Sequence, residues 1–373
     1  MTPGSATNPQ RSGRPPTRLV QVGVGAMGRT WLDAIARHPD AELAGIVDLD
    51  RTALAQAATV HDLPTNATAT SLAELDVAAD AVVNVTVPAA HLPVSVAALR
   101  AGLPVLCEKP AAPTVADALR MAAASRATGC LLVVSQSRRF LRGVAAIRRV
   151  LPDLGAISSV SCAFHRAPRF GGFREEMAHP LLVDMAIHHL DLARLLVDDR
   201  PATVQATSWN PPWSWFAGDA AADVVVTFAA GARFDYAGSW VARGAQGSWN
   251  GSWRISAEHG SVTWDGEDAP EVVTADGERV VPTLGDEPEE VDGSLAAFLA
   301  LVRGETGSED AGRGVVPASD IDDNVTSLAM VAAAVTAADT SRPVDVADLL
   351  SRSRAEALVT EPDPALRAGL SDP

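Results

Sequence analysis

The sequence predicts an α/β protein in two parts: a doubly wound parallel sheet, then an α/β domain with a large open, mostly antiparallel sheet. Three observations carry this. A glycine cluster stands between a strand-like run and a helical run near the start. Short apolar runs then alternate with helix-length segments as far as residue 136. From residue 137 the pattern changes to longer alternating strands, several separated by turn signals such as Ala230-Gly231 and His259-Gly260. Alternating strands and helices build a parallel sheet, whereas successive strands with one polar face build an antiparallel one.

Composition sets outer bounds. A chain of 373 residues is long enough for two cores. Its net charge of −16 opposes binding to duplex nucleic acid or an anionic membrane, since both need a positive field. No apolar run approaches the ~20 residues that span a bilayer. Residues 1–17 lack the apolar core of a secretory signal and predict a disordered tail. Cys107, Cys130 and Cys162 are odd in number with no CxxC spacing, which predicts reduced thiols in a cytoplasmic protein.

The first domain is expected over 18–136. A strand at 18–24 runs into Gly23-Val24-Gly25-Ala26-Met27-Gly28, and a helix follows at 30–37. This is GxGxxG in the context it requires, where glycines permit a tight turn and let the backbone approach a pyrophosphate at a helix N-terminus. A second strand, 42–47, ends on Asp48, where a Rossmann fold places the acid that accepts from the adenosine ribose. A carboxylate here repels a 2′-phosphate, favouring NAD over NADP, with the neighbouring Arg51 as the counterweight. Strands at 81–86, 104–108 and 131–136 alternate with helices at 51–60, 89–101 and 114–128. Ligands sit at the carboxyl ends of such strands. Cofactor contacts are therefore expected from Gly23, Gly25, Ala26, Met27, Gly28, Asp48, Arg51, Thr86, Pro88, His91, Glu108 and Lys109. Lys109 is the only lysine in a chain with 30 basic residues. It stands at a strand end facing the cofactor, where a compact, tunable ammonium does what a planar, always-charged guanidinium does not.

The glycine loop, "VTVPAAH" at 85–91 and above all "EKP" at 108–110 resemble the glucose–fructose oxidoreductase / inositol dehydrogenase / MocA (Gfo/Idh/MocA) family. The resemblance covers residues 18–345. It implies a Rossmann domain followed by an α/β domain on a large open sheet, and a lysine that lies beside the nicotinamide and touches the substrate hydroxyl.

The second domain is expected over 137–345, with a helix at 140–151 and strands at 157–165, 203–209, 223–229, 233–240, 253–258 and 261–264. Between the first two lies "HPLLVDMAIHHLDLARLL", read as one helix over 179–196 with Pro180 in its first turn. At ~100° per residue Asp184, His188 and Asp191 share a face, while His189 falls on the apolar side with a single hydrogen bond expected. Asp184 is then placed to orient His188 as a base, though spacing alone fits a surface ion pair equally well. The family resemblance implies the catalytic reading, because members carry Asp-x-x-x-His on this helix. Members usually have glycines before the Asp, where this chain has "HPLLVD". No metal is expected: adjacent histidines diverge by ~100°, and no other His/Cys cluster completes a ligand set.

Seven of the eight tryptophans lie between Trp209 and Trp264. Trp213 and Trp215 share a face if 212–216 is extended, a platform for a sugar ring or a core contact. The loop at 165–179 adds Arg166, Arg169, Arg174 and His179 as candidate substrate contacts. A helix at 318–338 follows an acidic loop, and residues 346–373 are expected to form a short helix and a loose tail. The resulting expectation is an NAD-dependent dehydrogenase acting on a secondary alcohol of a sugar, sugar derivative or cyclitol, with Lys109, Asp184 and His188 catalytic. Its expected partner molecules are a small polyol and further copies of itself, as a homodimer or homotetramer through the second sheet. An NAD-dependent glycosidase or lyase with transient oxidation, and a non-catalytic sugar sensor, remain alternatives on the same fold.

Overall fold

The computed structural model describes residues 14–283, 285–305 and 318–371. Residues 1–13 of the expected tail, and most of the acidic loop at 305–314, lie outside the described residues. Thr17, assigned to that tail, instead opens the first strand.

Six strands, β1 (Thr17–Val22), β2 (Ala41–Val47), β3 (Thr68–Ala69), β4 (Ala81–Asn84), β5 (Val105–Glu108) and β6 (Leu132–Ser135), lie parallel in the order β3-β2-β1-β4-β5-β6. Helices α1 (Ala26–Arg37), α2 (Arg51–Val60), α3 (Pro88–Arg100) and α4 (Val115–Thr128) connect them. β4, β5 and β6 are buried along their whole length, as strands covered on both faces must be. Thr114 caps α4 by accepting from the Asp117 amide, and Gly129 ends it at φ +66°. Strand order reverses between β1 and β4, which opens a crevice at their carboxyl ends.

The chain continues through α5 (Arg142–Val150), β7 (Ile157–His165), and a π-helical turn, Leu181–Ala186, that runs into α6 (Ile187–Val197). Then come β8 (Pro201–Trp209), β9 (Ala221–Phe228), β10 (Arg233–Ser239), β11 (Ser252–Ala257), β12 (Gly260–Trp264), β13 (Glu271–Thr274) and β14 (Gly277–Val280). The last elements are α7 (Glu290–Val302), β15 (Ser319–Asp320), α8 (Ile321–Thr340), β16 (Val344–Asp345), α9 (Val346–Thr360) and α10 (Pro364–Ser371). The second sheet has the order β14-β13-β12-β11-β7-β10-β9-β8-β16, antiparallel throughout except for the β7–β10 pair. Its residues alternate with period two: Val160, Cys162 and Phe164 are buried, Ser161 and Ala163 exposed. The buried face packs under α6 and α8.

Several segments depart from the sequence reading: β3, β13, β14 and the π-helical turn were not expected, and two later segments reach the first domain. α7 was not expected, yet its Leu295, Phe298 and Leu299 join Leu19, Trp31 and Ile35 in one core cluster, so late sequence completes the first domain. Beyond residue 345, where a short helix and a loose tail were expected, the helix is followed by a second one, and both pack on α4 with Leu366 and Leu370 buried. The alanine-rich surface of α4 allows this close approach, with Gly369 set against Ala123.

A buried ion network ties the helical layer together. Arg139 Nε and Nη2 each donate to Asp191 at 2.6 Å, and Nη2 also donates to Asp323 at 2.8 Å. Arg194 donates to Asp323 and Ser327 Oγ to Asp191, both at 2.6 Å. Asp191 is thus spent on structure inside the fold, its carboxylate held by Arg139 and Ser327.

Candidate active site

The glycine loop is held by side chains before any ligand enters. Gly23 has φ +98°, and a Cβ there would stand 2.5 Å from the Val85 carbonyl oxygen. At Gly28 a Cβ would stand 2.4 Å from the Gly23 oxygen, but at Gly25 it would meet nothing within 4 Å. Gly23 and Gly28 therefore serve packing, and Gly25 leaves an open approach to the N-terminus of α1, flanked by exposed Ala26 and Met27. That cradle fits a dinucleotide pyrophosphate. Gln21, which the sequence reading missed, pins the loop from below by donating to the Gly23 and Gly28 carbonyls at 2.8 Å. Asp48 accepts from the Val24 amide at 2.8 Å and the Asp50 amide at 2.9 Å, so it shapes the loop. Arg51 is exposed at the start of α2.

Two expected cofactor contacts belong behind the surface. His91 is fully buried, with Nδ1 2.8 Å from the Pro110 oxygen and Nε2 2.9 Å from the Thr86 oxygen. It clamps the loops after β4 and β5 and has no surface to offer a cofactor, because α3 folds it inward. Glu108 is likewise buried, accepting from Trp31 Nε1 at 2.8 Å and the Lys109 amide at 2.9 Å. Thr86 and Pro88 remain half-buried at the rim, where Thr86 Oγ1 donates to Asn84 Oδ1 at 2.7 Å.

Lys109 projects from the end of β5, preceding Pro110 through a cis peptide. Its Nζ donates to the Asp184 carbonyl at 2.9 Å and lies 3.3 Å from Asp184 Oδ1. Arg174 Nε donates to the other carboxylate oxygen at 3.1 Å. Asp184 sits in the π-helical turn, where the wider turn interrupts the ordinary ladder and advances each residue by less than ~100°. The expected Asp184–His188 hydrogen bond is accordingly absent among the described residues, and His188 Nδ1 is buried without a partner. His188 keeps 8% exposure. Burial, then the positive charges of Arg138 and Lys109 with His189 beside them, push its pKa well below the ordinary 6.5, so the ring is neutral. His189 lies on the apolar side as expected, stacked on Tyr236 at 5.2 Å and beside Phe164 and Trp253. The Asn250 carbonyl acts on it without meeting hydrogen-bond geometry, so the expected single bond is not formed.

Arg138 is a further member that spacing gave no reason to single out. It donates to the Trp249 carbonyl at 3.1 Å and reaches Asn250 Oδ1 at 3.5 Å, and burial lowers its pKa to about 10. Gln136, at the carboxyl end of β6, is buried with both amide atoms unpartnered. Its strand-end position was the available signal.

The candidate substrate contacts separate. Arg166 lies over Trp249 at 4.5 Å and donates to the Gly247 carbonyl, and Arg169 lies over Trp215 at 3.9 Å. His179 is taken up elsewhere: Nε2 is 3.0 Å from Asp339 and Nδ1 is 3.2 Å from Ser208 Oγ, leaving no ring nitrogen for a ligand. Residues 212–213 form a turn, and Trp213 is tied to the Val241 carbonyl at 3.1 Å while Trp215 lies under Arg169, so the two do not form one platform. Trp213 instead borders a cavity of about 370 Å³ on the outer face of the second sheet, with Trp209, His165 and Asp223.

Comparison with known proteins agrees with this architecture. Residues 17–136 match the oxidoreductase family with the NAD-binding Rossmann fold, and residues 146–263 match the GFO/IDH/MocA C-terminal domain. The chain is 31% identical to uncharacterized protein y4oX of Sinorhizobium fredii over 261 residues, 66% of this chain and 72% of that one. It is 34% identical to inositol 2-dehydrogenase of Cereibacter sphaeroides over 192 residues, spanning 50% of this chain and 56% of the relative. An oxidoreductase from Agrobacterium radiobacter, solved with NAD+, L-tartaric acid and magnesium, superposes with a TM-score of 0.80 at 20% identity, covering 89% of this chain and 99% of that one. The chain belongs to the Gfo/Idh/MocA oxidoreductase family, and its parallel sheet is that family's NAD-binding Rossmann domain.

Proposed function

We propose that this oxidoreductase acts on a secondary alcohol of a sugar, sugar derivative or cyclitol, with NAD as the hydride acceptor. The observation that carries the reading is the convergence of Lys109 and Asp184, with neutral His188 in the field of Lys109, at the strand ends beside the glycine loop. Bound NAD supplies hydride chemistry that no side chain has. The Lys109 ammonium, held by the Asp184 carbonyl and carboxylate, donates to the substrate oxygen and stabilises its developing negative charge. His188 takes the hydroxyl proton as general base. Asp184 positions Lys109, not His188. Support comes from the relative named inositol 2-dehydrogenase, and from the neighbour crystallised with tartaric acid, itself a secondary alcohol.

The test is NADH formation across a panel of sugars, glycosides and inositols. Accumulating NADH supports the reading. Aglycone release without NADH would replace it with transient oxidation, and cofactor binding without turnover would replace it with a sensor. We further propose a cytoplasmic homo-oligomer joined through the outer face of the second sheet, supported by three free cysteines and by exposed Trp209 and Trp213 on that side. Light scattering of the purified chain checks the assembly, and a monomer would remove it.

A further inference from the structure

Around the reacting position two cations, Lys109 and Arg174, share one carboxylate, Asp184. Both oxygens of Asp184 are already engaged, Oδ1 by Lys109 and Oδ2 by Arg174. Arg138 donates to the Trp249 carbonyl and reaches Asn250 Oδ1, with Glu290 and Asp184 acting on it from beyond ion-pair distance. Glu108, the nearest acid in sequence to Lys109, is turned onto Trp31 and the Lys109 amide. In a chain of net charge −16, this concentration of positive charge is a local exception. A neutral polyol would leave Lys109 and Arg174 sharing the single charge of Asp184.

The arginines differ in what they leave open. Arg139 is locked onto Asp191; Arg166 lies over Trp249 and donates through Nη1 to Gly247, Arg169 lies on Trp215, and among the described residues neither of these two bonds Asp184. Arg174 uses only Nε, on Asp184, and among the described residues its two terminal nitrogens donate to nothing. Its guanidinium is flanked by Phe170 at 5.5 Å and Phe173 at 5.0 Å, and its side chain is 37% exposed. A planar fork with two free donors, steadied by aromatic rings, suits the two oxygens of a carboxylate or phosphate.

We infer that the substrate carries an anionic group, a carboxylate or a phosphate, seated on the terminal nitrogens of Arg174 beside Lys109. The inference rests on the dehydrogenase reading above and names the substrate class for that same site. Arg174 is then the specificity residue, linking the anion to the catalytic lysine through Asp184.

The experiment compares kcat/KM for matched neutral, carboxylate and phosphate members of the same skeletons: hexose, hexuronate and hexose phosphate, and inositol and inositol phosphate. Wild type, Arg174→Gln and Arg174→Lys are measured side by side. The anionic member is expected to exceed its neutral partner by about 10-fold or more, in the range of a charge-assisted hydrogen bond. Arg174→Gln should lower that ratio by about 10- to 100-fold, mainly through KM, and Arg174→Lys should restore part of it. The two anionic arms tell carboxylate from phosphate. A neutral member used as well as its anionic partner, or an Arg174→Gln loss equal on both, would overturn the inference. If no member is turned over, the dehydrogenase reading fails separately. Tryptophan-fluorescence titration of the NADH complex with hexuronate and with hexose phosphate then decides: saturation that Arg174→Gln abolishes supports the anion site, and no saturation by either rejects it.

Discussion

Lys109 and Asp184 meet across 75 residues of sequence, through a carbonyl at 2.9 Å and a carboxylate at 3.3 Å. Removing the ammonium removes the donor aimed at the developing alkoxide. Lys109→Ala should lower kcat by about 10²–10³-fold with NADH binding retained by fluorescence, and Lys109→Arg should not recover it. His188 leads to a pH prediction. Its folded pKa lies well below 6.5, so kcat/KM should stay level as pH falls through 6.5 and inflect only well below. Stability behaves differently. The unfolded chain protonates His188 and His189 near 6.5 while the folded chain does not, so unfolding becomes easier below that pH. Each histidine contributes up to about 1.4 kcal/mol per pH unit there. Urea midpoints at pH 7 and below 6 measure the slope, and His189→Phe should flatten it. At the glycine loop, Gly25→Ala should leave Tm unchanged and weaken NAD about 10-fold or more by filling the open cradle, whereas Gly23→Ala should destabilise the fold.

At the scale of elements, the helical layer depends on a buried ion network. Burial alone would raise the Asp323 pKa, but hydrogen bonds and charge from Arg194 and Arg139 hold it down to about 2. Its contribution is fully present above the ordinary 3.8 and is lost as pH falls from there through 2. Arg139→Ala, which leaves buried Asp191 with only the more distant Arg194 at 3.7 Å and Ser327 Oγ, should cost about 3–5 kcal/mol in urea unfolding. The sequence placed most strands and helices because period two and period 3.6 are local properties. The π-helical turn escaped, since its apolar pattern reads like an α-helix, and with it escaped the pairing of Asp184 with Lys109 and Arg174. His179, Trp213 and His91 were candidates by type and position, but each is claimed by partners from distant elements.

For the whole molecule, the two halves interlock through late sequence. α7 completes the core under α1, β15 extends the first sheet, and α9 and α10 pack on α4. Deleting residues 346–373 should therefore destabilise the Rossmann domain, lowering its Tm and its NAD affinity together. Leu366→Ala and Leu370→Ala should each cost about 2–5 kcal/mol, the range for buried leucines.

The sequence by itself determined the glycine cradle, the alternation of parallel strands with helices, Asp48 at its strand end and the lone lysine at the cofactor edge. Each follows from local backbone chemistry: conformational freedom at glycine, apolar periodicity, and a strand's fixed direction. Only the tertiary structure decided that Asp184 holds Lys109, that His188 stays neutral, and that Arg174 keeps an open fork. Those depend on burial and charge pairing between segments far apart in the chain, which no local pattern encodes.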